Sequence, residues 1–189
     1  MPEQTVEHKR IFLALWPDEA TRAQLYAHQQ KIKCDPALHA ALLQSRAVKP
    51  DNLHMTLHFI GSVSSEVLQN LNSALDLVHA NAFDMEVDTT GYFPRPRVLW
   101  LGVSQMPPAL PALVQQTAAC VQQCVEAYEL QSFQAHITLF RKVRNPGELV
   151  QLPAIHWPVN SFALVESKTL PEGVQYEVLR SWPLAPLLF

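Results

Sequence analysis

The chain has 189 residues, 48% of them hydrophobic and 16% charged, with a formal net charge of −3. This composition provides a sizeable core and argues against disorder. The slightly acidic balance argues against a broad nucleic-acid-binding face but leaves room for one small basic cleft.

RIFLALWP (Arg10–Pro17) reads as a buried strand. Pro17, Asp18 and Glu19 suit the start of a helix that runs to about Lys33, and Cys34–Lys49 shows no clear pattern. In NLHMTLHFIG, Leu53, Met55, Leu57 and Phe59 alternate with His54, Thr56 and His58, the pattern of a half-buried strand that ends near Gly61. Ser64 or Ser65 caps a helix to about Ala80, with Val67, Leu68, Leu71, Leu75 and Val78 as its apolar stripe. FDMEVDTTGYF (83–93) alternates as one strand, and RVLWLGV (Arg97–Val103), apolar on both faces, reads as a central strand. After the proline-rich MPPALP, the helical spacing of Leu110, Leu113, Val114, Thr117, Val121, Cys124, Val125 and Tyr128 marks the clearest helix. FQAHITLFRKV is a strand, and SFALVESKTL and VQYEVLRSW form a hairpin around a turn at Pro171–Gly173. The order of elements predicts an α+β or α/β fold.

Three cysteines, Cys34, Cys120 and Cys124, do not make a disulfide framework. Cys120 and Cys124 share a helix face and read as packing. MPEQTVEHKR lacks an apolar signal region, and no stretch approaches the roughly 18 apolar residues of a membrane span. A soluble, cytoplasmic protein is expected, with no membrane association.

One pattern occurs twice: His54-Met55-Thr56-Leu57 and His136-Ile137-Thr138-Leu139, each on a predicted strand. Residues i and i+2 of a strand point the same way, so each copy presents an imidazole beside a hydroxyl. If two related halves face each other across a cleft, the imidazoles can act as general base and general acid near neutral pH. The hydroxyls can bond the non-bridging oxygens of a tetrahedral centre. A phosphodiester needs that set of groups.

With IFLALWP, KPDNLHMTLHFIG, GYFPRPRVLWLGV and HITLFR, the paired motifs resemble the two-histidine, LigT-like phosphoesterases, in the bacterial RNA 2′,3′-cyclic phosphodiesterase branch once described as a 2′-5′ RNA ligase. The resemblance covers about Arg10 to Trp182. It implies an α+β fold of two pseudo-symmetric lobes, each a mainly antiparallel sheet with helices outside, in one domain over residues 1–189. It implies metal-independent chemistry without a cofactor, His54 as proton donor and His136 as proton acceptor. The expected substrates are RNA ends that bear a 2′,3′-cyclic phosphate, such as tRNA halves or short oligonucleotides, hydrolysed to a 2′-phosphate by a monomer. The alternatives are 2′-5′ end joining by the reverse chemistry and a non-catalytic module that binds RNA ends or nucleotides.

Other residues are weighed against blander roles. Thr56 and Thr138 are also good strand residues, but their place in both copies favours phosphate contact. His58 shares the polar face with His54 and so is placed to line the cleft, yet the second copy has Phe140 there, so a peripheral role is favoured over a zinc site of His54, His58 and His136. Basic residues gather near the motifs: Lys49, Arg95, Arg97, Arg141, Lys142, Arg144 and Lys168. Arg141 is the candidate for phosphate contact, by resemblance. Strict alternation puts it on the apolar face with Ile137 and Leu139, so it reaches the cleft only if the strand ends or bulges near Phe140. Phe12 and Phe93 are candidates for stacking a base; Trp100 is a further aromatic that reads more readily as core.

Overall fold

Five consecutive buried residues, Ile11 to Leu15, place β1 (His8–Leu15) under cover on both faces. The computed structural model describes residues 8–126, 128–171 and 173–186. After β1, the Asp18 carboxylate accepts from the Thr21 N–H at 2.8 Å and caps α1 (Glu19–Lys33). Pro17 therefore stands outside the helix rather than at its first position. The patternless stretch that follows contains the one-turn helix α2 (His39–Leu42), the two-residue strand β2 (Arg46–Ala47) and a 3-10 turn at Pro50–Asn52.

β3 (Met55–Ser64) carries the first motif, and Ser64 caps α3 (Ser65–Leu75), which stops short of Ala80. The single strand expected over 83–93 is two strands. β4 (Phe83–Val87) and β5 (Thr89–Phe93) part at Asp88, whose carboxylate is drawn aside by the N–H and hydroxyl of Ser104. β6 (Val98–Gly102) and α4 (Ala109–Cys124) follow; α4 ends before Tyr128. β7 (His136–Arg141) carries the second motif. β8 (Ile155–Val159) went unread in the sequence because it is short and contains Pro158. β9 (Ser161–Leu170) and β10 (Gly173–Pro183) form the expected hairpin.

Eight strands form one antiparallel sheet of order β10-β9-β1-β3-β7-β6-β5, with β2 added beside β7. β4 and β8 make a separate pair. The large sheet consists of two lobes, β10-β9-β1-β3 and β7-β6-β5, joined where Met55 on β3 pairs with Ile137 on β7. The α+β, two-lobed expectation holds, and the motif strands are the two that meet at the centre.

The helices cross between lobes. α4 follows β6 in sequence but packs, with α3, on β3. α1 follows β1 but sends the Gln29 side chain to the carbonyls of Val48 and Leu139, each at 2.9 Å. Gln29 is buried, so those bonds satisfy groups that would otherwise be stranded away from water. The core runs through Leu13, Leu15, Leu25, Leu71, Leu113, Val121 and Ile137; a fully buried Leu or Ile contributes roughly 1.5–3 kcal/mol. Among the described residues, no helix is long and apolar enough to cross a membrane.

Candidate active site

Each motif contains a β-bulge at its fourth residue. Ala14 pairs with Thr56 and Leu13 with His58, which leaves Leu57 as an extra residue on β3. Trp100 pairs with Thr138 and Leu99 with Phe140, which leaves Leu139 extra on β7. An extra residue reverses the faces of everything beyond it. On β3, His58 therefore turns into the core and Phe59 turns out. On β7, Phe140 turns in and Arg141 turns out. The condition set by the sequence for Arg141 is met by a bulge, and Arg141 lines the cleft.

His58 is 4% exposed and lies beneath α4. Its Nδ1 is 2.8 Å from the Tyr128 hydroxyl, and its Nε2 donates to the Val114 carbonyl at 2.9 Å with Thr117 Oγ1 at 3.0 Å. The expectation that it shares the face of His54 is wrong, because alternation does not survive the bulge. A site built from His54, His58 and His136 is not assembled.

The cleft between the lobes has a volume of about 830 Å³. Phe12, His54, Thr56, Thr138 and Arg141 line it, together with Arg10, Arg46 and Lys49. None of the described lining residues is a carboxylate, so a protein of net charge −3 presents a basic cleft. His136 and Phe93 fall outside this lining. His136 shares β7 with Thr138 and Arg141, which do line it. Of the other basic residues singled out in the sequence, Lys49 reaches the cleft. Lys168 is instead paired with Glu166 and Glu177, and Arg144 bonds Gln44.

The two histidines are held alike. His54 Nδ1 donates to the Asn52 carbonyl at 2.6 Å, and His136 Nδ1 donates to the Gln134 carbonyl at 2.8 Å. A carbonyl only accepts, so Nδ1 carries the proton in both rings and Nε2 is the unprotonated, basic nitrogen. At His54, Nε2 accepts from the Thr56 hydroxyl at 3.1 Å.

Aromatic rings pack around each imidazole. Trp16 stacks on His54 at 5.3 Å between centroids, with Phe12 at 4.9 Å and Tyr176 edge-on at 5.2 Å. Phe93 meets His136 edge-on at 5.1 Å and Trp100 does so at 6.4 Å. Trp100 lies close over two glycines: a Cβ at Gly91 would come within 2.0 Å of its ring, and one at Gly102 within 2.7 Å.

Burial disfavours the imidazolium and pushes His54 down to about 4; the Asn52 carbonyl opposes this, and the charges of Arg141 and His136 add to it. His136 is lowered by burial first and then by Arg141, against the Gln134 carbonyl. Arg141 therefore acts on both rings.

Sequence reasoning missed Trp16, Tyr176, Asn52, Arg10, Arg46, Phe59 and Gln29. Trp16 and Tyr176 sit where an aromatic reads as core, and Asn52 works through its backbone.

Paired imidazoles and hydroxyls around an arginine, in a basic cleft between antiparallel lobes, have the makings of a phosphoesterase site. Comparison with known proteins leads to the same class. Residues 15–100 match the family model described as LigT like Phosphoesterase. The RNA 2′,3′-cyclic phosphodiesterase of Escherichia coli (strain K12) is 30% identical over 184 residues, which cover 94% of this chain and 98% of that one. The RNA 2′,3′-cyclic phosphodiesterase of Thermus thermophilus is 33% identical over 190 residues, 93% of this chain and 90% of that one. Crystal structures of E. coli LigT superpose on the fold: the apo form has a TM-score of 0.80 at 29% identity, covering 95% of this chain and 99% of that one. The complex with 3′-AMP has a TM-score of 0.78 at 28% identity, covering 94% and 98%. The chain belongs to the LigT-like phosphoesterase family.

Proposed function

We propose that the protein hydrolyses RNA ends bearing a 2′,3′-cyclic phosphate and leaves a 2′-phosphate. The observation that carries this reading is the matched pair of imidazoles, each with Nδ1 tied to a carbonyl so that Nε2 is the basic nitrogen, beside one arginine whose charge lowers both. The relatives named RNA 2′,3′-cyclic phosphodiesterase support the substrate class.

In the proposed step, His136 Nε2 takes a proton from water as the water oxygen attacks phosphorus. The bond from phosphorus to the 3′ oxygen breaks, and protonated His54 delivers its Nε2 proton to that oxygen. Thr56, Thr138 and Arg141 donate to the non-bridging oxygens. His54 then regains a proton from solvent and His136 loses one. On its own His54 is neutral near pH 7, since burial lowers its pKa to about 4. A bound phosphodiester brings a negative charge beside it and Arg141, which raises the imidazole toward the protonated form the step requires.

The test combines product analysis with leaving-group rescue. Wild type should convert a 2′,3′-cyclic phosphate end to the 2′-phosphate, and a 3′-phosphate product would overturn the geometry. His54→Ala and His136→Ala should each lose roughly 10²–10⁴ in rate. A substrate whose 3′ leaving group needs little protonation should rescue His54→Ala far more than His136→Ala. Equal or reversed rescue would overturn the assignment of acid and base.

A further inference from the structure

The bulges have a second effect. Phe59 occupies in the first motif the place that Arg141 occupies in the second, two residues past the bulged leucine and turned toward the cleft. Strict alternation would bury Phe59 with Leu57, yet the ring is 45% exposed. A cation supplied from β1 covers it: the Arg10 guanidinium sits 4.9 Å from the Phe59 ring centroid. Both residues line the cleft, and among the described residues no carboxylate pairs with Arg10. Each motif thus brings one cation into the cleft, Arg141 directly and Arg10 by way of Phe59.

Phe59 is three residues along β3 from Thr56, roughly 10 Å away at the rise of a strand. Across the ladder from Phe59 on the neighbouring strand is Phe12, which is also the ring that packs on His54. A continuous track therefore leads from the imidazole to the Arg10–Phe59 pair. A half-exposed ring with an arginine over one face, paired with no carboxylate among the described residues, suits a base and its phosphate, the combination by which proteins bind single-stranded nucleic acid. A 2′,3′-cyclic phosphate can only end an RNA chain, so beyond the terminal nucleotide's own ribose and base the track can hold only the nucleotide that precedes it.

We infer that Arg10 and Phe59 form a subsite for the nucleotide that precedes the cyclic-phosphate end, with the base stacked on Phe59 and the connecting phosphodiester held by Arg10. The inference rests on the proposed function for the identity of the terminal group. It makes the cleft selective for oligonucleotides over mononucleotides.

The experiment measures equilibrium binding of uridylyl-uridine ending in a 2′-phosphate against uridine 2′-phosphate, so it does not depend on turnover. Wild type should prefer the dinucleotide by about tenfold or more. Arg10→Gln should shrink that preference about tenfold and reduce the salt dependence of dinucleotide binding by about one phosphate contact. Phe59→Leu, which keeps an apolar side chain without the ring, should shrink the preference with the salt dependence unchanged. A wild-type preference near one would overturn the subsite, as would variants that weaken both ligands equally. Turnover of the matching cyclic phosphates separates the two proposals: if neither is hydrolysed while the binding preference follows Arg10 and Phe59, the hydrolytic reading fails and the subsite stands.

Discussion

Met55 and Ile137 face each other at the junction of β3 and β7, each fully buried and each the residue between the histidine and the threonine of its motif. This pair therefore sets how far apart the imidazoles stand. Met55→Ala or Ile137→Ala should cost about 2–5 kcal/mol through the cavity left behind, read as a lower urea midpoint with an unchanged slope. Ile137→Leu, which conserves volume, should cost less than about 1.5 kcal/mol. The alanine variants should also lose kcat at temperatures where they remain folded. Full kcat in a destabilised variant would mean that the motifs keep their spacing without the pair.

Arg141 couples the pH dependence of the two histidines. The folded pKa of His54, about 4, lies below the unfolded value of about 6.5, so the unfolded chain takes up the proton first. The stability carried by the neutral imidazole is fully present above about pH 6.5 and is lost as pH falls toward 4. His136 is shifted in the same direction. Burial is the larger cause at both and persists in Arg141→Gln, but the repulsion from the guanidinium goes. Both rings should then titrate at higher pH by NMR, and the loss of stability between pH 7 and pH 5 should be smaller than in wild type. Activity should fall by roughly 10²–10³, as for removal of one donor to a developing anion. Unmoved titrations would show that Arg141 does not act on the imidazoles.

The repeat, both strands that bear it and the hairpin that closes the chain were legible because their signals are local: a four-residue spacing, a period of two and a turn. The facing of residues beyond each motif was not. A bulge is a relation between two strands, and nothing in LHFIG or LFRKV shows that Leu57 or Leu139 lacks a partner across the ladder. Alternation consequently misplaced His58 and Phe59 on β3, while the doubt over Arg141 had the right physical cause. Gln29 was invisible for a related reason: its value lies in two backbone carbonyls more distant in sequence, those of Val48 and Leu139.

His58 separates structural from catalytic histidines. It is buried and bonded to α4 and Tyr128, and its pKa is lowered chiefly by burial. His58→Ala leaves a cavity and strips the Tyr128 hydroxyl of its partner, so it should cost about 2–4 kcal/mol in urea denaturation. Its kcat, measured well below its midpoint, should stay within about tenfold of wild type, far from the roughly 10²–10⁴ expected for His54→Ala. A His58 variant that is stable but inactive would return this residue to the chemistry.

Gly91 supports the second motif without touching it. Across the ladder from Trp100, it leaves the space in which the indole lies flat, and an added methyl would meet the ring at 2.0 Å. Trp100 in turn packs beside Phe93 and His136, so Gly91→Ala should drive the indole toward the imidazole. The expected cost is about 1–3 kcal/mol of stability, as for an overpacked core, together with a fall in kcat larger than the change in KM. Because the clash is with one ring, the double variant Gly91→Ala, Trp100→Leu should be more stable than the sum of the two single changes implies, a favourable coupling that a double-mutant cycle measures. Additive costs in that cycle would show that the methyl is accommodated elsewhere and that Trp100 does not transmit the change to His136.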